Sequence, residues 1–123
     1  MVTTALKTEY IRLVDKWKKI LMLDDWDIDV KFKKMSEVDE AQINWWNDEN
    51  KAIVYINKDK PSERILLHEL IHILCRHTVD IKDFMEEEAD IKLIDCGVEW
   101  TVKGLTNIFM KLYGENTIRK STK

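Results

Sequence analysis

Three residues within five positions, in the segment His68-Glu69-Leu70-Ile71-His72, form an HExxH pattern. Two histidines four apart on a helix project from one face a turn apart, so their ring nitrogens can converge on one zinc ion at about 2.0 to 2.1 Å. The carboxylate of Glu69 then reaches a water activated on the metal and serves as general base against a polarised carbonyl. The surrounding residues make a metal-free reading expensive. Ile65, Leu66, Leu67, Leu70, Ile71, Ile73 and Leu74 occupy nearly every side of this segment. A helix so apolar buries two imidazoles and a carboxylate, and each unpaired buried polar group costs about 1 to 3 kcal/mol. A metal ion resolves that conflict.

A catalytic zinc site needs a third protein ligand. The candidates downstream are His77, Glu86, Glu87, Glu88 and Asp90. His77, five residues after His72, lies about 140° around a continuous helix and points elsewhere. The metzincin arrangement requires a glycine turn and a third histidine six residues on, and no glycine lies between His72 and His77. The acidic run fits if the next helix folds back antiparallel, with the turn near Val79. One register then sets Glu86 opposite His72 and Asp90 opposite His68, with Glu88 and Lys92 on the wet side. On this reading Glu86 is the third ligand and Asp90 orients the imidazole of His68. Glu87 remains the competing donor.

These residues resemble the gluzincin zinc metallopeptidases, which pair HExxH with a downstream glutamate, often with aspartate four positions later, as at Glu86, Ala89 and Asp90. In size and layout the chain is similar to small phage-encoded metallopeptidases and to ImmA-like peptidases. There a helix and a short sheet precede HELxH and a Glu-rich helix follows. The resemblance spans mainly Leu23 to Ile94. It implies a minimal zincin fold, zinc held by His68, His72 and Glu86, and Glu69 as catalytic base.

The elements that must position this site are legible as periodicities. Leu6, Tyr10, Leu13, Val14, Trp17 and Leu21 recur at steps of three and four, predicting an amphipathic helix from about Thr4 to Met22. Trp26, Ile28, Val30 and Phe32 alternate with charged residues, predicting a strand. Residues 41–46 and 51–56 flank Asn47-Asp48-Glu49-Asn50 and read as a hairpin. Ser62 is placed to cap the central helix, with Glu63 in its first turn and its end near His77. A further helix from Asp83 to Cys96 is expected to stop at Gly97. A last helix follows, with Leu105, Ile108, Phe109 and Leu112 as its buried stripe. The expected class is α+β: an N-terminal helix, a small three-stranded sheet, the central HExxH helix and two further helices.

Other residues have roles to offer. The strand Ala52–Asn57 precedes the central helix, where zincins present an edge to an extended peptide; Tyr55 on it could line the substrate cleft or serve as a cross-strand partner. Trp45 and Trp46 should face opposite sides of their strand. Cys75 and Cys96 are expected to pack, and two cysteines make no disulfide framework.

The 123 residues carry a net charge of -3, with 45% hydrophobic and 35% charged residues, which suits one zincin-like domain over 1–123 with 115–123 as a flexible tail. No apolar run approaches the roughly 18 residues that span a bilayer, the N-terminus lacks a signal-peptide layout, and a cytoplasmic protein is expected; the resemblance implies phage encoding as one origin. An acidic balance offers no basic face for nucleic acid. The expectation is a zinc metallopeptidase acting on a peptide or protein substrate, without nucleic acid or membrane as partner. The alternative is a zincin-scaffold metal-binding regulatory or interaction module without turnover.

Overall fold

The computed structural model describes residues 3–37, 39–76 and 87–115, without the side chains of 89 and 90. Helix α1 runs Thr4–Ile20, capped by the Thr3 hydroxyl, which accepts from the Leu6 amide at 3.1 Å. Tyr10, Leu13, Val14 and Trp17 are its buried stripe. It stops two residues earlier than the apolar pattern suggests. Met22 takes a left-handed conformation at φ 59°, while the Leu23 amide donates to Lys18 O at 2.7 Å and the Met22 amide to Lys19 O at 3.3 Å. This is a Schellman closure built without glycine.

Three strands follow: β1 (Asp27–Lys33), β2 (Ala41–Trp46) and β3 (Lys51–Asn57), in the spatial order β1-β3-β2. The expected hairpin is present, with β2 antiparallel to β3 and Ile43 opposite Val54. Its connection is a 3-10 turn, Asn47–Glu49, closed by left-handed Asn50, a conformation asparagine tolerates better than most residues. β1 lies parallel to β3 on the other side, with Val30 opposite Val54. The strand nearest the central helix in sequence is therefore the middle of the sheet. Its Ala52, Val54 and Ile56 are fully buried, and Trp45 and Trp46 do split, with Trp45 against the core and Trp46 exposed.

Helix α2 (Glu63–Leu74) starts at Ser62, whose side chain accepts from the Ile65 amide. Tyr10 adds to this cap: its hydroxyl accepts from the Ser62 amide at 2.8 Å and donates to Ser62 O at 3.3 Å. α2 lies against the sheet on one side and a long helix, α3 (Glu88–Tyr113), on the other. That sandwiching explains its apolar composition: Leu66, Leu67, Leu70, Ile71 and Ile73 are all fully buried.

The expected break at Gly97 does not occur, and one helix of 26 residues replaces two. Glycine ends a helix by adopting a left-handed conformation, and no glycine here has positive φ. Burial of Val98, Val102 and Met110 along one side of α3 outweighs the roughly 1 kcal/mol that a mid-helix glycine costs. The buried stripe also shifts: Ile108 and Leu112 face outward, while Val102 and Thr106 are buried. The fold is α+β, with three helices among the described residues. His77, the expected connection from Thr78 to Lys82 and the tail beyond Glu115 lie outside the described residues.

One carboxylate joins the three helices. Glu63, only 2% exposed, accepts from Lys16 Nζ at 2.8 Å, Trp17 Nε1 at 2.9 Å and the Glu115 amide at 2.8 Å. Lys16 also reaches Tyr113 O and the Glu115 carboxylate. The start of α2 and the end of α3 are thereby clasped to α1.

Candidate metal centre

His68 and His72 sit one turn apart on α2 with ring centroids 5.2 Å apart. They face a cleft of about 760 Å³ whose walls are α2, α3 and the start of β2. Packing of α2 against α3 decides what meets them. Stepping back one turn at a time along α2, from His72 to His68 to Arg64, matches stepping forward along α3, from Glu99 to Lys103 to Asn107. Glu99 Oε1 lies 2.9 Å from His72 Nε2 and Glu99 Oε2 lies 3.7 Å from His68 Nε2. At the far end Arg64 donates to the Asn107 side chain.

The expected register set Glu86 beside His72 and Asp90 beside His68; the described part of α3 brings Glu99 beside His72 instead, and Glu86 is not among the described residues. Asp90 is in the first turn of α3, nine residues before Glu99, or roughly 13 Å along the axis at 1.5 Å per residue. Glu86 and the side chain of Asp90 lie outside the described residues, and Glu87 is exposed at the N-terminus of α3. The carboxylate that the described residues bring to the histidines is Glu99.

Glu99 had a legible signal. It lies three residues before Val102 and seven before Thr106, both buried, so an acidic side chain borders the apolar face of a helix. A break assigned to Gly97 hides that relation by removing Glu99 from any continuous helix.

Donor atoms of His68, His72 and Glu99 all lie within 4.8 Å of one another, and no fourth donor joins them among the described residues. A tetrahedral zinc with bonds of 2.0 to 2.2 Å sets its ligand atoms roughly 3.3 to 3.5 Å apart. The two Glu99 contacts straddle that spacing. Two imidazoles and one carboxylate, with a side open to the cleft, are donor types from which three-ligand zinc sites are built.

The charges of the site suit it. Burial pushes the imidazoles of His68 and His72 below their ordinary value, against the upward pull of Glu99. That direction favours the neutral imidazole, the form that ligates metal. Glu69 also lines the cleft; burial, then the negative charges of Glu99 and Glu40, raise its carboxyl to about 7. Lys103 stands close enough to His68 to oppose its protonation.

Tyr55 is not in this cleft. On β3 the residues facing α2 are Ala52, Val54 and Ile56, which leaves Tyr55 on the opposite face of the sheet, where Lys33 Nζ lies 4.9 Å above its ring. The strand that walls the cleft is β2, through Ala41, Gln42 and Ile43. Asn57 holds its approach: the side-chain amide donates to Asp39 O at 2.8 Å and to Ser36 O at 3.3 Å, and its backbone amide donates to Glu40 O at 2.9 Å. Cys75 is half-buried against the core and Cys96 is exposed in the middle of α3. No helix among the described residues is long and apolar enough to cross a membrane. No protein-family model, curated protein or solved structure matches this chain.

Proposed function

We propose that this chain is a zinc-dependent metallopeptidase whose ion is held by His68, His72 and Glu99. The observation that carries the reading is the convergence of these three donors beside Glu69 at the wall of an open cleft. Bound zinc supplies acidity to a water molecule and polarisation to a peptide carbonyl. Glu69 takes the proton from the attacking water and delivers it to the departing amine nitrogen.

The outer edge of β2 carries no strand partner among the described residues. An extended peptide laid along Ala41–Ile43 takes up its free backbone groups by strand addition and passes in front of His68 and Glu69. Lys103, on the facing wall, supplies positive charge where the carbonyl oxygen becomes an oxyanion.

Elemental analysis tests the centre first: one zinc per wild-type chain, lost in His68→Ala. A fluorogenic peptide library then tests the chemistry, with Glu69→Gln retaining zinc and fold but losing hydrolysis. Absence of zinc in protein refilled with the ion, or unchanged turnover in Glu69→Gln, overturns the reading.

A further inference from the structure

Helix α3 carries a second apolar stripe that packs against nothing among the described residues. Leu93, Trp100 and Ile108 are 72%, 81% and 55% exposed, and they share one side of the helix with Gly97 and Gly104 at steps of three and four. This side lies opposite Val98, Val102 and Leu105, which pack inward. It is next to, and separate from, the line of Glu99 and Lys103.

The two glycines sharpen the observation. Each sits inside a 26-residue helix, where glycine costs roughly 0.5 to 1 kcal/mol relative to alanine. Neither has positive φ, and a Cβ placed on either meets nothing within 4 Å. Among the described residues, the fold of one chain therefore gives no reason for glycine at either position. Close approach of another backbone or a bulky side chain is the remaining physical use of a missing Cβ. Trp100 stands between them, three residues after Gly97 and four before Gly104.

The order of the stripe is nearly the same read in either direction: aliphatic, glycine, tryptophan, glycine, aliphatic. A two-fold axis passing near Trp100 and Thr101 sets Leu93 against Ile108 of a second copy and Gly97 against its Gly104. Each indole then fits the slot left by the glycines of the facing helix. Two-fold interfaces require this self-complementarity, since one patch must serve both sides.

We infer that α3 is a homodimerisation helix, pairing antiparallel with α3 of a second copy through Trp100 and the two glycines. The exposed area of Leu93, Trp100, Ile108 and neighbouring Leu112 is on the order of 500 Å² per copy. That places the dimer near the lower end of specific interfaces, so it exchanges with monomer and depends on concentration. The surface is independent of the metal centre, whose face of α3 stays open to the cleft.

Sedimentation equilibrium of the full chain from about 1 µM to 1 mM tests this, a range suited to the weak, transient contacts at the low end of interface size. Wild type is expected to shift from monomer to dimer, and Trp100→Glu to remain monomeric with an unchanged far-UV spectrum. Gly97→Ala and Gly104→Ala separate the dimer from any effect on folding. Each is expected to raise the melting temperature of the monomer while weakening self-association at least tenfold. A wild type that stays monomeric throughout overturns the inference, as does a Trp100→Glu dimer or glycine variants that associate as tightly as wild type.

Discussion

Replacing Glu99 by glutamine separates the observed helix register from the one expected from sequence. The substitution keeps shape and one oxygen but removes the negative charge that spans the two histidine nitrogens at 2.9 and 3.7 Å. Structural zinc sites with four ligands gain about 10 to 16 kcal/mol of apparent binding energy, or roughly 3 to 4 kcal/mol per ligand. Losing one anionic ligand from a set of three therefore lowers zinc affinity about 100- to 1000-fold. The metal-free fold should hardly notice. The Glu99 side chain is 45% exposed, and substitutions at such positions stay within about 0.5 kcal/mol. The assay is competition for zinc against a chromophoric chelator at pH 7, with Glu86→Gln and Glu88→Gln measured beside it. Both comparison variants should bind as wild type. A large loss in Glu86→Gln with none in Glu99→Gln would refute the assignment and restore the register that pairs Glu86 with His72. No loss in any of the three would reduce the contact of Glu99 with His72 to an ordinary hydrogen bond.

The clasp makes two further predictions. Glu63→Ala leaves the Trp17 indole N–H without its partner and removes the most buried contact of Lys16; the expected loss is about 3 kcal/mol, read as a lowered urea midpoint, and a loss below about 1 kcal/mol contradicts the account. Hydrogen bonds from Arg12, then Lys16, hold the Glu115 carboxyl down at about 2. A depressed folded-state value contributes stability that is present above the unfolded value near 4.5 and lost as pH falls toward 2. Exposure screens this contribution to at most about 1 kcal/mol. Glu115→Gln should thus be less stable than wild type at pH 7, with the gap shrinking as pH falls through about 2, and a gap as large at pH 2 as at pH 7 would contradict the linkage.

Much of the scaffold is visible in the chain because a half-buried element announces its period. The stripe of α1, the alternation of β1, the hairpin around Asn47 and the cap at Ser62 all follow from local residues. The all-round apolar character of α2 even signals its place between two layers. What local pattern does not carry is which strand lies in the middle. β1 and β3 pair in parallel across a gap in sequence, and that choice exposes the edge of β2 and turns Tyr55 away from the cleft. The helix register is hidden for a related reason. Gly97 looks like a terminator when judged by its neighbours, whereas packing along the whole of α3 carries the helix through it and delivers Glu99 to the histidines. HExxH is legible because its two histidines and glutamate share one turn; the carboxylate that completes the group comes from another element.

The three-way grip of Glu63 bears on the order in which the molecule acquires its parts. Synthesis delivers the sheet and α2 first, with His68 and His72 already side by side, but Glu99 arrives on α3 and the amide that locks α3 in place belongs to Glu115. Glu99 itself precedes that amide in the chain, so all three donors are present before the contact that ties down the end of α3 can form. On the proposed reading, a chain cut before Glu115 keeps its donors but loses the anchor of the helix that carries one of them, and should exchange zinc faster than the full chain.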